Sequence, residues 1–572
     1  FHIRDSIKYQ LNTTNGDCGA PVICNDTRVI RKIAGIHIAG ETLGQFAYAQ
    51  SISQNDLLTH LTMFNTIITD PDQMANISVK NAILQSIQFD TEYEETTLRS
   101  IFNMAADTFF YIGKCVRPVF TPNKTELRPS VIHGDVTIPT TKPAKLFHPE
   151  VNMLKKNLAK CGENTPYIMP DEIEKAVNSY KQKIFANKKK QLCRILKDEE
   201  AVSGSPDSEF INGISRRSSP GYPWVFEKQS GKPGKTTWFG DSDVYDVTPE
   251  VLARIKHLES IASSGKRIPF IWTDTLKDER RPIAKVDALK TRVFAAGPMD
   301  YTILVRKYFL GFIANVMENR IDNEQSLGTN PFGNDWAHTA RVLSRYGKKV
   351  FAGDFSTFDG TLNPAIMFSF VNAVNEWYDD GATNAKIRET LFLDVMNSVH
   401  LCGDQFYGTT HSQPSGNPLT TILNSWYNSV SMRIAFGRAA QMASVKPPRF
   451  NDVVSMVSYG DDNVINFSDG IVDWFNQITI SEAYATFGMT YTDEAKTGNI
   501  QPYKTLEEVA YLKRAFRFAD GYVYAPLDLE TCLEMCNWVR DSPDPHAQCA
   551  ANINTAAREL SQHGEDIFRR WV

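Results

Sequence analysis

The chain has 572 residues, which at roughly 100–200 residues per domain corresponds to about three to five domain-sized units. Hydrophobic residues at 42% and charged residues at 22% are ordinary globular values, and they exclude a disordered, collagenous or coiled-coil chain. With 61 Lys+Arg against 66 Asp+Glu, the net charge of -5 excludes a wholesale polycation, so a nucleic-acid partner would have to be held by a local basic surface.

In chain order, residues 1–60 carry short β-rich runs separated by Gly and Asn turns, such as RVIRKIAGIHIAG and QFAYAQ. Ser53, with Asp56 three residues on, opens a short helix-like run. Residues 66–95 are polar, without sustained periodicity, and read as a linker. The stretch to about 300 is rich in Pro, Gly and Lys, which predicts extended or irregular structure. A helix is expected over 302–320, a strand near 348–354, and helices after Asn363 and Pro418. Apolar strands at 453–459 and 463–467 bracket a tight turn. From about 528 the pattern is mostly helical, with apolar residues at Leu529, Leu533, Cys536 and Val539. Nine scattered cysteines without a CxxC pair support neither a disulfide framework nor a zinc ribbon and fit a reducing compartment. No run approaches 18 uninterrupted apolar residues. The start on Phe1 and the finish on Trp571-Val572 read as a segment of a longer polypeptide.

The tight turn is Tyr459-Gly460-Asp461-Asp462, which sets two carboxylates at a hairpin tip where packing gains nothing from them. A solvated turn is the plain reading. A second acidic pair, Asp354 and Asp359 in GDFSTFDG, stands at another strand end. Carboxylates from two strand ends can jointly hold two Mg²⁺ ions about 3.5–4 Å apart, as in-line nucleotidyl transfer requires. Between the two pairs lies QPSGNPLTTILNS (413–425), a Ser-Gly-Asn-Pro loop running into a helix-like run. Ahead of them, KDERRPIAKVDALKTR (277–292) concentrates positive charge, and alternation around Ala284–Val286 predicts a hairpin there. By itself a charge run is a solvated face as readily as a phosphate site.

In this order the motifs resemble the RNA-directed RNA polymerase of picorna-like viruses, of dicistrovirus and iflavirus type, from about residue 110 nearly to the end. The resemblance implies an α/β (α+β) right-hand polymerase with fingers, an antiparallel-sheet palm and a helical thumb. It implies Asp354 and Asp461 as metal ligands, Asp462 as a weaker one, and Asp359 as the reader of the ribose. Ser415, Thr420 and Asn424 match the residues that form a hydrogen-bond network with Asp359. Lys285 and Arg292 are implied on the nucleotide access path, with Lys277, Arg281 and Lys290 in support, and Arg suits phosphate because its fork donates two parallel bonds. GMTYTDEAKTG resembles the fourth palm motif, implying Lys496 as the acid that protonates departing pyrophosphate. Tyr511-Leu512-Lys513-Arg514 resembles the primer grip, implying RNA contacts for Lys513 and Arg514.

The first sixty residues carry a separate resemblance. Gly16-Asp17-Cys18-Gly19 followed by Gly35-Ile36-His37-Ile38-Ala39-Gly40 is similar to the C-terminal barrel of a chymotrypsin-like cysteine protease. It implies Cys18 as nucleophile and His37 in a pocket for a glutamine side chain, with the base and acid upstream, so that this chain alone is an inactive protease fragment. The implied division is a short all-β protease piece at 1–65, a linker with a processing site (Gln73-Met74 or Gln85-Ser86) at 66–95, fingers at 96–298, palm with fingers insertions at 299–505, and a truncated thumb at 506–572. Implied cofactors are two Mg²⁺, with Mn²⁺ able to substitute. Implied partners are RNA template and primer, NTPs, a small genome-linked protein primer and other viral replication proteins, at membrane-associated replication complexes in the host cytoplasm. Rival readings are a reverse transcriptase or DNA polymerase, which share palm carboxylates, and a protease precursor or RNA- or membrane-recruiting platform.

Overall fold

The structure, a computed structural model, describes residues 6–9, 21–23, 33–40, 47–51, 87–89, 109–115 and 117–572, less 120, 159–164, 268–269, 410, 495–497 and 499. The chain divides into two compact units, Phe1–Asn76 and Ile77–Val572. Cys18, Lys496, the helix expected after Ser53 and both processing sites lie outside the described residues.

In the first unit the described residues form one antiparallel sheet, in the order Ser6–Tyr9, Ala47–Ser51, Ile33–Gly40, Pro21–Ile23. His37 lies on the third of these strands, opposite Ala49. Ala47 and Ala49, two residues apart and therefore on one face, are fully buried.

The second unit is built around a four-stranded antiparallel sheet in the order Val454–Tyr459, Asp462–Phe467, Val350–Phe355, Tyr491–Asp493. Both faces of its strands are covered, and period-two alternation sorts their apolar side chains between two cores. Phe351, Phe355, Met456, Ile465 and Phe467 face the larger core, which holds the helices Pro364–Tyr378, Thr420–Met442 and Gln477–Ala485. Val350, Ala352, Val457 and Val464 face a smaller core with Trp336, Tyr511 and Phe516. The polar ends of the strands therefore have one direction left in which to emerge, along the strand axis.

A six-stranded sheet carries the neighbouring basic segment: Val293–Ala296, Ile271–Leu276, Val399–Cys402, Gln405–Thr409, Phe109–Cys115, Ile87–Phe89. Within it the Ile271–Leu276 and Val399–Cys402 pair is parallel and the other pairs are antiparallel. Ile87–Phe89 falls within the stretch read as a linker and is instead an edge strand of this sheet.

The expected helices and strands from 299 onward are present at Met299–Glu318, Val350–Phe355, Pro364–Tyr378, Thr420–Met442, Val454–Tyr459 and Asp462–Phe467. Three expectations need correction. The Pro- and Lys-rich middle region holds two 15-residue helices, Pro170–Ile184 and Pro249–Ser263. In each, Pro occupies the first helical turn, where no N–H is needed, so the proline marks a helix start rather than irregular chain. Ile173, Ala176, Tyr180 and Ile184 line the buried face of the first. The hairpin expected around Ala284–Val286 is a helical turn, Ile283–Asp287, with Val286 its single buried residue. Three residues of alternation are too few to separate the two periods. Finally, the C-terminal helical pattern breaks at Val539, which belongs to a strand, Trp538–Arg540, paired with Leu127–Pro129. Among the described residues no helix is long and apolar enough to cross a membrane.

Candidate active site

The register of the central sheet brings the acidic motifs to one end. Gly353 pairs with Asn463, so Asp354 emerges beside Asp462 and the turn, on strands about 4.8 Å apart. Tyr459 pairs with Asp462, leaving Gly460 and Asp461 as a two-residue hairpin turn. Gly460 has φ +65°, the left-handed value that such a turn needs at its first central position and that glycine adopts at little cost.

One helix, Thr420–Met442, fastens this end of the sheet. Asn424 donates from Nδ2 to Asp359 Oδ1 at 2.8 Å. One residue on, Ser425 Oγ accepts the Gly460 amide at 2.8 Å and donates to the Thr421 carbonyl. One turn further, Asn428 Nδ2 donates to both turn carbonyls, Gly460 O and Asp461 O, at 3.1 Å each. Positions i, i+1 and i+4 share one face of a helix. Asn428 is itself set by a chain behind it: Asn463 Nδ2 donates to Asn428 Oδ1 at 2.9 Å, and Tyr491 OH donates to Asn463 Oδ1 at 2.7 Å. Tyr491 reaches across Gly353, where a Cβ would stand 2.0 Å from the ring. Ser425, Asn428, Asn463 and Tyr491 were not singled out in the sequence. For Ser425 and Asn428 the signal was the run of polar residues NSWYNS within the buried middle of the helix; Asn463 and Tyr491 carried none.

Asp359 feels this arrangement electrostatically. Burial pushes its carboxyl up to about 6, the Asn424 amide opposes that, and the nearby charge of Asp461 adds to it. Asp461 also reaches the basic segment. The Arg292 guanidinium is held above its ordinary value first by its hydrogen bonds to Glu279, then by the fields of Glu279 and Asp461. Among the described residues no three His, Cys, Asp or Glu groups form a ready-made cage. Mg²⁺ is usually bound through one or two carboxylates, with water and substrate phosphates completing its octahedron. Asp354, Asp461 and Asp462 at one sheet end fit that kind of site.

The basic residues divide. Lys277, Arg281 and Arg292 converge on Glu279, whose carboxylate lies 3.5 Å from Lys277 Nζ, 3.6 Å from Arg281 Nη1 and 2.5 Å from Arg292 Nε. Three cations on one carboxylate leave a net positive cluster. Lys285 and Lys290 are exposed, and the Lys290 amide bonds to the Lys285 carbonyl at 2.9 Å. The loop with Ser415 packs on the same segment: a Cβ at Gly416 would stand 2.1 Å from the Ala295 carbonyl oxygen, so a glycine there permits backbone-to-backbone approach.

Two expected roles change. Thr420 Oγ1 donates to Asn417 O at 2.8 Å, and so closes the loop onto the helix instead of reaching Asp359; of the three expected network members, Asn424 makes that bond. Ser415 stands exposed on the loop. Arg514 is committed to Glu559 by two 2.8 Å bonds and to the Ala525 carbonyl, so its fork braces the C-terminal helices rather than presenting itself to RNA. Lys513 beside it is exposed.

An antiparallel sheet with acidic residues at one end, backed by helices and flanked by a basic segment, is the palm of a right-hand polymerase. The solved Sicinivirus 3Dpol RNA dependent RNA polymerase has the same fold, with TM-score 0.68 and 21% identity over 81% of this chain and 93% of that one. Residues 136–572 match the model of the viral RNA-dependent RNA polymerase family, and the chain belongs to that family. Residues 1–66 match the Tungro spherical virus-type peptidase model. Among curated relatives, the replicase polyprotein of Acute bee paralysis virus is 45% identical over 100% of this chain, and that of Cricket paralysis virus 38% over 99%. The chain spans about a third of these polyproteins, 31% and 33% respectively.

Proposed function

We propose that the chain carries out template-directed RNA synthesis, in which a primer 3′-hydroxyl attacks the α-phosphate of an incoming NTP and pyrophosphate leaves. The observation that carries this reading is the buried Asn424 amide. Its Nδ2 is spent on Asp359, while its Oδ1 is buried and without a partner. A buried acceptor left unmade is costly, by about 1–3 kcal/mol, so this oxygen gains from any donor that reaches it, a water or a ligand hydroxyl. Beside a carboxylate, a ribose 2′-hydroxyl is such a donor, and it can accept as well. An enzyme built for 2′-deoxy substrates has no use for that acceptor, so the observation favours RNA over DNA synthesis.

In this reading Asp359 and Asn424 test the ribose, with Ser415 on the loop beside it. Lys277, Arg281 and Arg292 receive the triphosphate, with Lys285 and Lys290 along the access path. Asp354 and Asp461, with Asp462 in support, hold Mg²⁺ or Mn²⁺. When bound, two such ions activate the attacking hydroxyl and stabilise the leaving oxygen. Lys496 donates the proton to pyrophosphate, and Lys513 contacts the primer strand. A tyrosine of a small genome-linked protein is an alternative primer. Work at membrane-associated replication complexes with other viral replication proteins follows the same reading. Residues 1–66 are then a protease piece carrying Cys18 and His37, inactive in this chain alone.

The test is direct. Asp461→Ala should abolish Mg²⁺-dependent incorporation on a primed homopolymer, and wild type should prefer NTP to dNTP. Retained incorporation by the variant sinks the metal assignment; a dNTP preference sinks the substrate assignment.

A further inference from the structure

A buried Ser-His-Asp chain lies in the six-stranded sheet, outside the carboxylate site. Asp274 sits on Ile271–Leu276, His400 on Val399–Cys402, and Ser398 just before that strand. His400 Nδ1 is 2.9 Å from Asp274 Oδ1, and Ser398 Oγ is 2.8 Å from His400 Nε2. The constellation has the order of a hydrolase triad, but it does not serve as one. Ser398, His400 and Asp274 are 1%, 5% and 1% exposed, which leaves no approach for a substrate. The serine is also spoken for on its far side.

The chain continues from that serine. Ser398 Oγ lies 3.3 Å from Thr409 Oγ1, which lies 3.2 Å from Ser412 Oγ. A carboxylate only accepts, and Asp274 already accepts the Tyr407 hydroxyl at 2.6 Å on its other oxygen. His400 Nδ1 therefore carries a proton toward Asp274, and Nε2 is left to pair with the Ser398 hydroxyl. The Tyr407 ring stacks on His400 at 4.9 Å and holds the imidazole plane.

The far end of this chain is Ser412, the residue before the Gln413–Leu419 loop that carries Ser415. The far side of that loop is held by Thr420 Oγ1 on Asn417 O and by the close approach of Gly416 to Ala295, but its stem side carries unpaired groups. Gln413 is 5% exposed, yet both ends of its amide lack a partner, and Asn417 Nδ2 lacks one too. The loop stem is tied by backbone bonds to the same segment, Thr409 N to Ser398 O and Ser412 N to Met396 O. We propose that Asp274, His400 and Ser398 form a positioning relay that fixes the stem of this loop, and through it the placement of Ser415. Ser398 and His400 are then positioning residues for ribose selection, and this rests on the polymerase reading above.

The test compares Ser398→Ala, which cuts the relay, with Ser398→Thr, which keeps the hydroxyl, in the full chain. Steady-state NTP and dNTP incorporation on a primed homopolymer is read together with hydrogen exchange of the 412–420 amides and the thermal midpoint. Ser398→Ala should raise KM for NTP about threefold to tenfold, the worth of one neutral hydrogen bond, with kcat within about twofold. Preference for NTP over dNTP should fall by the same factor, exchange at 412–420 should quicken, and Ser398→Thr should restore all three. Wild-type KM, discrimination and exchange in a folded Ser398→Ala protein would overturn the relay, as would equal shifts in both variants. A wild-type chain that incorporates no nucleotide sinks the polymerase reading and the ribose role with it, while the exchange comparison still decides whether the relay positions the loop.

Discussion

Replacing Asp359 by Asn should stabilise the protein while harming its selectivity, and the size of the effect can be worked out. Burial first, and the charge of Asp461 third, lift the carboxyl from its ordinary 3.8 to about 6, against the opposing Asn424 amide. At 1.36 kcal/mol per pH unit, the ionised carboxylate costs the folded state about 3 kcal/mol. The sign follows from linkage. Below the unfolded value the group is neutral in both states and costs nothing. As pH rises toward the folded value, only the unfolded chain ionises freely, so stability is lost across roughly pH 4 to 6. About half the cost is present at pH 5 and nearly all at pH 7.

The amide in the Asp359→Asn protein would keep an oxygen to accept from Asn424 and would carry no charge. Thermal or urea unfolding of both proteins without divalent ions, from pH 4 to 8, isolates the effect, because titrations not coupled to Asp359 cancel in the difference. The Asp359→Asn protein should gain about 2.4 kcal/mol over wild type by pH 7 relative to pH 4, and should lose NTP-over-dNTP preference. A difference that stays flat with pH, or a variant less stable at pH 7, refutes the account of Asp359 as a strained, functional carboxylate.

Four further outcomes are expected. Asn428→Ala removes both bonds to the turn carbonyls and should lower stability by about 2–3 kcal/mol, with a higher Mg²⁺ concentration needed for half-maximal incorporation, read by urea unfolding and metal titration. Gly353→Ala drives a methyl into Tyr491 and should cost about 3 kcal/mol or prevent folding; a wild-type midpoint would show that the ring has room to move. Arg292→Lys keeps the charge but loses the fork, so KM for NTP should rise about tenfold with Lys no better than a partial substitute. Arg514→Ala leaves Glu559 buried and unpaired and should cost about 3 kcal/mol without changing the salt slope of RNA binding, whereas Lys513→Ala should reduce that slope by about 1 and leave the midpoint alone.

What the sequence made legible divides along the range of the interactions. Three strands of the central sheet, the turn at Gly460 and the helix after Pro418 are set by apolar runs and local turn chemistry, and they lie where the sequence places them, whereas the fourth strand, Tyr491–Asp493, is three residues long and carries no such pattern. The helices Pro170–Ile184 and Pro249–Ser263 were obscured because proline was read for what it breaks rather than for where it is tolerated. Asp359, Asn424 and Arg292 could be picked out by motif, but the partner of each is a matter of register and packing over long separations. Arg514 turning to Glu559 is decided by packing over a long separation, which spacing does not encode, whereas Thr420 turning back to Asn417 is a local bond to the carbonyl three residues before it. Glu279 escaped for the opposite reason: a lone acid in a basic run looks like noise until three cations are seen to share it.

The helix Thr420–Met442 shows why the site is built as it is. Asn424, Ser425 and Asn428 are all buried, and each is a poor helix former compared with the residues that packing alone would favour. Their polar atoms are aimed at three different things: a carboxylate, an amide and two carbonyls, all at one end of one sheet. Of the three, Asn424 keeps an acceptor left over. A helix that uses three side chains to fix the position of two acidic segments, and leaves one oxygen unpaired among them, suits the proposed ligand, which brings its own hydroxyl. The same logic accounts for a net charge of -5 in a chain proposed to act on RNA. Acid is concentrated where cations and hydroxyls are to be received, and the Lys277, Arg281 and Arg292 cluster stands close enough for Arg292 to feel Asp461. A polyanion is then drawn to that local field, whatever the sum over the whole surface.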